Sequence, residues 1–144
     1  MEIGITPLTK AEIIRQMAQI LLLDQIIVGE KWVEENFLVE LPDKWQLSFQ
    51  AQAGDLIAGF LIASRKMRAI HIHRLVVGNR LQNMGVGKRL VNSLIETSKE
   101  RGMECITLKV LNTNKNAIEF YKKLGFKLKD RENHNIWMEL YLNN

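Results

Sequence analysis

A single cysteine, Cys105, occurs in the 144 residues, so neither an internal disulfide nor a zinc site built on several cysteines can form. Only two prolines, Pro7 and Pro42, interrupt the chain, and no Pro/Gly-rich linker or low-complexity tract separates one part from another. Long apolar runs are missing too. The best candidate, "QILLLDQIIVG", is broken by Asp24 and Gln25 and falls short of the roughly 18 to 20 residues a bilayer span requires. The opening "MEIGITPLTK" lacks a basic stretch followed by an apolar one, so it does not read as a signal peptide. These absences lead us to expect a cytoplasmic protein with no membrane partner. Nor is there a run of five or six cations, although the net charge is +4 and the pI near 9.3. Scattered cations without a recognition motif speak against nucleic acid, and an anionic small molecule accounts for the charge equally well.

What is present is a globular composition, 47% hydrophobic and 25% charged, with length enough for one domain spanning 1–144. "MEIGIT" reads as a short strand. Thr9 and Glu12 form a capping-box signal ahead of one helix through "EIIRQMAQILLL", and a poorer helix is expected within "GEKWVEENFLVEL". "WQLSFQAQ" and "LIAGFLIASR" then read as paired strands around "AGD", followed by a strand "AIHIHRLVV". Val86, Leu90, Val91, Leu94 and Ile95 share one helical face that ends near Gly102. "CITLKVL" alternates as a strand, "NKNAIEFYKKLG" is a short helix, and "FKLKD" with "NIWMELYL" forms a closing hairpin. This order predicts an α/β (α+β) fold: a mixed, largely antiparallel sheet of about seven strands flanked by about four helices.

The densest chemical signal is "RLQNMGVGKRL", Arg80–Leu90. A strand that ends in a glycine turn and opens a helix offers unpaired N–H groups and the positive end of the helix dipole, an arrangement suited to phosphate. Gly85 and Gly87 remove Cβ atoms there, and Lys88 and Arg89 add charge. Five cations stand against two acids between Arg80 and Arg101. A Walker loop fits worse because Gln82 and Arg89 replace its glycine and hydroxyl residue, and a dinucleotide loop because Leu90 replaces the third glycine. A tight turn with no ligand remains open on these residues alone.

"QNMGVG", Gln82 to Gly87, resembles the Q/R-x-x-G-x-G/A loop of the GNAT superfamily of acyl-CoA-dependent N-acetyltransferases. The likeness extends through "IHRLVV" before it and "NTNKNAIEFYKKLGF" after it, in detail over about residues 70 to 127. The resemblance implies that acetyl-CoA is the co-substrate. Its diphosphate would lie on the loop formed by Gln82, Asn83, Met84, Gly85, Val86, Gly87 and Lys88, and its pantetheine arm along Leu75, Val76 and Val77. Asn114 and Tyr121 match the family's N-x-x-A-x-x-x-Y pattern. By that likeness Asn114 contacts the coenzyme arm and Tyr121 protonates the departing sulfur. Read without the family, Asn114 is a helix cap, and Tyr121 an aromatic on a buried helix face beside Ala117 and Leu124.

His71 and His73 fall two apart on a strand and therefore on one face. They resemble the paired histidines of arylalkylamine N-acetyltransferase, which implies a relay for the amine's proton; as plain core or rim residues they would need no such role. No third ligand accompanies them at metal-binding spacing, so no metal site is expected. Lys109 stands where ribosomal-type N-terminal acetyltransferases carry a glutamate base, a departure that weighs against that peptide class. Cys105 lies among alternating buried positions and reads as a small core residue, and Trp32, Trp45 and Trp137 as core or pocket wall.

The expected acceptor is a small-molecule or peptide amine. Between Asp24 and Lys44 six acids face two cations, which predicts an acidic mouth attractive to a cationic amine, with Glu34 or Glu35 recruiting it, unless this is simply a solvated helix face. Dimers are common in the family, so a homodimer is left open. A non-catalytic acyl-CoA-binding module is the alternative that Tyr121 and the histidines argue against.

Overall fold

In the computed structural model, residues 2–143 are described; Met1, part of the expected opening strand, and Asn144, the last residue of the expected domain, lie outside them. Seven strands form one sheet: β1 (Ile3–Pro7), β2 (Phe49–Ala53), β3 (Leu56–Lys66), β4 (Ala69–Val77), β5 (Cys105–Leu111), β6 (Lys127–Glu132) and β7 (Asn135–Tyr141). Their order is β1-β2-β3-β4-β5-β7-β6, and β4–β5 is the parallel pair. The mixed, mostly antiparallel sheet expected from the sequence is therefore present.

Six α-helices flank it among the described residues, not about four: α1 (Lys10–Arg15), α2 (Met17–Asp24), α3 (Glu34–Leu38), α4 (Lys44–Leu47), α5 (Val86–Glu100) and α6 (Lys115–Lys123). The expected first helix is divided at Gln16, whose backbone leaves helical geometry at φ −107°, ψ 16°. Its side chain is buried and donates to Gln50 Oε1 on β2 at 2.8 Å, a bond that ties the junction to the sheet. The start of "WQLSFQAQ" is likewise a helix and not a strand. Lys44 is 1% exposed, and its ammonium donates to the carbonyls of Phe37 and Val39 at 2.7 and 2.8 Å. A buried cation must find such acceptors, and here they are the ones orphaned at the end of α3.

Two apolar layers sandwich the sheet. On one side Leu90, Val91 and Leu94 of α5, with Ile118 and Tyr121 of α6, pack on Ile70, Ile72, Ile106 and Leu108. Each such side chain, fully buried, contributes roughly 1.5–3 kcal/mol. On the other side Ile13 and Ile20 join Phe37, Phe60, Ile62 and Val76.

One irregularity matters for the site. The β3–β4 register passes from Ile62↔Arg74 to Ala63↔Ile72, which leaves His73 as an extra residue in β4. Such a bulge breaks the alternation of side chains. His71, His73 and Arg74 consequently serve the α1–α3 side, while Ile72 and Leu75 serve the α5–α6 side. Pairing between β4 and β5 stops at Ile72↔Leu108, next to the bulge, and beyond that point the two strands part. At the far margin of the sheet, β6 is exposed at all six residues.

Candidate active site

Where β4 and β5 part, a cleft of about 630 Å³ opens toward α5 and α6. Its floor is Leu75 and Val77, and one end is the turn Gln82–Lys88. Gly85 caps α5 with φ +81°, a conformation glycine adopts at no steric cost, and Asn83 is also left-handed at φ +68°. The first turn of α5 leaves the amides of Val86, Gly87 and Lys88 without intrahelical acceptors, and they carry the positive end of the helix dipole. Gln82 ties the turn to the end of β4, its amide donating to the Val77 carbonyl at 3.1 Å.

Gly87 has a second reason to be glycine. A Cβ there would stand 3.2 Å from the Phe120 ring, so the missing side chain lets α5 approach α6 as well as leaving the turn open. Of the two cations expected beside the loop, Lys88 lines the cleft, whereas Arg89 turns away and donates to the Ile3 carbonyl at 2.8 Å.

The opposite wall is the helical stripe Ala117, Phe120 and Tyr121 of α6 with its C-cap Leu124, and Asn116 and Lys123 stand beside it. Asn114 caps α6 by accepting from the Ala117 amide at 3.2 Å, and it also lines the cleft. Tyr121 is 8% exposed, and its hydroxyl has no hydrogen-bond partner among the described residues. Burial pushes the phenol well above its ordinary value, so it stays protonated.

Leu75, Val77, Gln82, Asn83, Gly85, Val86, Gly87, Lys88, Asn114 and Tyr121 are thus gathered around one cavity. Val76 and Met84 are not among its lining residues. Val76 points into the apolar layer on the other face, and Met84 is exposed on the loop. Residues not anticipated are Leu81, the remainder of the α6 stripe, and Ile26, Ile27 and Val28. Ala117 and Leu124, four before and three after Tyr121, are already expected on its helix face, and Phe120, three after Ala117, extends the same spacing; the irregular 26–28 stretch carries no comparable signal.

His71 and His73 lie outside the cleft, on the other face of the sheet. Their rings are 5.0 Å apart. His71 Nδ1 and Thr107 Oγ1 share a hydrogen bond of 2.8 Å, and His73 Nε2 and Ser64 Oγ one of 2.7 Å. Burial, assisted by His73, Lys109 and Lys66, lowers the His71 pKa to about 4; burial and Lys44 lower that of His73. Both rings are neutral at physiological pH. Lys109 stacks over Trp137 at 5.5 Å, and Trp137 lies 5.6 Å from His71. Cys105 is buried at the start of β5, where burial first and Glu139 next raise its thiol, and it is not part of the cleft.

The expected acidic mouth is neutralised at three of its six acids, while Glu30, Glu34 and Glu35 form no ion pair among the described residues. Asp24 pairs with Arg74, Asp43 with Arg65 and Arg101, and Glu40 with Lys10 and the Trp45 indole N–H. All these partners come from outside the 24–44 segment, which is why a charge balance taken within it overstated the field.

Residues 14–126 match the family model described as the Acetyltransferase (GNAT) family. The chain belongs to the GNAT acetyltransferase family. Among its relatives, an uncharacterised N-acetyltransferase of Methanocaldococcus jannaschii is 42% identical over 65 residues, covering 45% of this chain and 29% of the relative. The ribosomal protein bS18-alanine N-acetyltransferase of Escherichia coli K12 is 28% identical over 95 residues, 66% of this chain and 64% of the relative. The chain therefore spans less than two thirds of the length of these curated relatives. The GNAT fold itself is shared throughout. The crystal structure of the E. coli S18-alanine enzyme superposes with a TM-score of 0.86 at 23% identity, covering 99% of this chain and 96% of the other. The PaiA N-acetyltransferase of Thermoplasma acidophilum, in complex with coenzyme A, gives 0.82 at 20% identity, covering 98% and 99%. No helix among the described residues is long and apolar enough to cross a membrane.

Proposed function

We propose that this protein transfers the acetyl group of acetyl-CoA to a primary amine by direct attack in a ternary complex. One observation carries the reading: a single cleft has free helix-terminal amides and Lys88 at one end and a buried, protonated, unpartnered phenol within it. Relatives in complex with coenzyme A support the choice of ligand. The residues present suit it. The α5 terminus is a berth for a diphosphate, and Leu75, Val77 and Phe120 form an apolar channel for the arm.

In the reaction, nitrogen bonds to the thioester carbon and the carbon–sulfur bond breaks, so a proton must leave nitrogen and the sulfur must be stabilised as it departs. Tyr121 donates its proton to that sulfur as the bond breaks, releasing a thiol, and the phenolate left behind, strongly basic because its pKa is raised, regains a proton from water. The amine enters from the α1–α3 face through the gap beyond Ile72 and Leu108. Neutral His73 stands at that fork with His71 behind it, and each ring has a lone pair able to pass the amine's proton through water. A ring as weakly basic as His71 relays a proton but does not store it. Holding both reactants in one geometry supplies much of the remaining rate.

The acceptor is a small-molecule or peptide amine. With three of the mouth's acids already paired, no strongly cationic acceptor is required. The test is calorimetry with acetyl-CoA followed by thiol release against a panel of polyamines, arylalkylamines, aminoglycosides and peptides. Binding with amine-dependent thiol release supports transfer; binding with no release for any amine leaves the non-catalytic module; no binding removes the reading altogether. Within the same assay Lys88→Ala weakens acetyl-CoA severalfold, roughly 1 kcal/mol for an exposed charge at a helix N-terminus, and Arg89→Ala leaves it unchanged.

A further inference from the structure

The cleft's wall at Ile26, Ile27 and Val28 belongs to neither helix nor strand, yet it faces Leu75 and Val77 across the cavity. Ile26, Ile27 and Trp32 rest on the apolar layer that includes Phe60, Ile62 and Val76, but apart from bonds along its own chain, in which Lys31 donates to the carbonyls of Gln25 and Ile27, the 25–33 stretch is hydrogen-bonded to the sheet by one side chain. Arg74 Nε donates to Asp24 Oδ1 at 2.8 Å and its terminal nitrogen to Asp24 Oδ2 at 2.7 Å. The same terminal nitrogen donates to the Glu30 carbonyl at 2.9 Å. Its guanidinium lies 4.9 Å from the Trp32 ring, and the Trp32 amide donates to Asp24 Oδ2 at 3.4 Å. Among the described residues, every hydrogen bond from 25–33 to the sheet runs through Arg74.

Both ends of this ion pair are nearly sealed from solvent, the side chains being 9% and 3% exposed. The pair grips the segment at its start (Asp24), its middle (Glu30) and its far end (Trp32). Arg74 can reach it because the bulge at His73 turns Arg74 toward α2 and away from the α5–α6 layer. One irregularity in β4 thus adjoins the point where the strands part and also aims the side chain that holds the wall over the opening.

We infer that Arg74 and Asp24 are positioning residues: they fix the 25–33 segment as the wall that confines the pantetheine and acyl end of the coenzyme. The inference rests on the acetyl-CoA reading of the cleft. Neither residue takes part in the diphosphate turn, so its effect is confined to ligands long enough to reach the wall.

Removing one partner would strand a buried charge and could unfold the chain. The main variant is therefore the uncharged pair Asp24→Asn/Arg74→Gln, with Arg74→Lys as a milder second that keeps the charge but loses the fork. Two measurements are made on each: calorimetric affinity for acetyl-CoA and for its 3′-phosphorylated ADP fragment, and hydrogen exchange of the amides of 25–33 against those of α5. For the double variant the dissociation constant of acetyl-CoA rises about tenfold, that of the fragment changes less than about twofold, and protection falls in 25–33 but not in α5. Arg74→Lys gives the same pattern at smaller size. Unchanged acetyl-CoA affinity, or equal weakening of both ligands, overturns the positioning role. Absence of acetyl-CoA binding by the unaltered protein overturns the cleft reading and this inference with it, an outcome distinct from a wild-type-like double variant.

Discussion

The two walls of one cleft are built by opposite means. The α5–α6 wall is regular: a helix end, a glycine turn and a stripe of side chains at helical spacing, each explicable from residues close in sequence. The 25–33 wall is irregular chain that rests on apolar contacts of Ile26, Ile27 and Trp32 and is hydrogen-bonded to the sheet through an ion pair between residues fifty apart. Regular backbone satisfies its own polar groups, so it can hold a phosphate-binding turn rigidly. Irregular chain must borrow acceptors and donors, so its position depends on a few bonds that a single substitution can remove.

The sharpest way to probe the regular wall is Tyr121→Phe. If the phenol acts at the sulfur, turnover at saturating substrates falls about a hundredfold, within the range of general acid catalysis, while acetyl-CoA affinity is retained. An unaltered turnover at neutral pH would reduce Tyr121 to a packing residue and make the two walls equal in having no chemistry of their own.

A smaller effect separates the two faces of the sheet. His71 is held neutral in the fold, with its pKa lowered to about 4 from an ordinary value near 6.5. Between those values the unfolded chain binds the proton and the folded chain does not. Its contribution is therefore fully present above pH 6.5 and is lost as pH falls toward 4. His71→Gln should flatten the loss of stability across that window by on the order of 2 kcal/mol, measured by urea unfolding at pH 4 to 7. Identical pH slopes in the two proteins would show that the ring is not shielded as described.

The smallest change tests the turn itself. Gly85→Ala places a Cβ on a residue with φ +81° and costs about 1 kcal/mol of stability although nothing crowds the site. Gly87→Ala acts by another route, pressing on Phe120. A Phe120→Leu background should relieve the second substitution and leave the first as costly as before; relief of both would mean that packing, not backbone, governs the turn.

The sequence was readable where structure is local. Ala69–Val77 was expected as a strand and is one, and the α5 face Val86, Leu90, Val91, Leu94 is buried as its spacing predicts. The residues gathered at the cleft follow the motif closely, apart from Val76 and Met84. What misled was alternation without pairing: Trp45, Leu47, Phe49 and Ala51 keep a strand's period, but the first part is the helix α4, whose Lys44 ammonium is anchored on the distant carbonyls of Phe37 and Val39. What stayed hidden was long-range. No local pattern marks the extra residue at His73, the partner of Asp24, or the departure of Arg89 toward β1.

The surplus residue in β4 has an evolutionary corollary. Before it the strand keeps one parity and after it the other, so the segment from Leu75 to Val77 is in phase with its surroundings only because of that count. Substitutions there change what is presented; gaining or losing one amino acid would turn the whole downstream half over, exchanging the inward places of Val76 and its neighbours. Lineages descended from this chain are therefore free to vary the letters of this strand far more readily than its length.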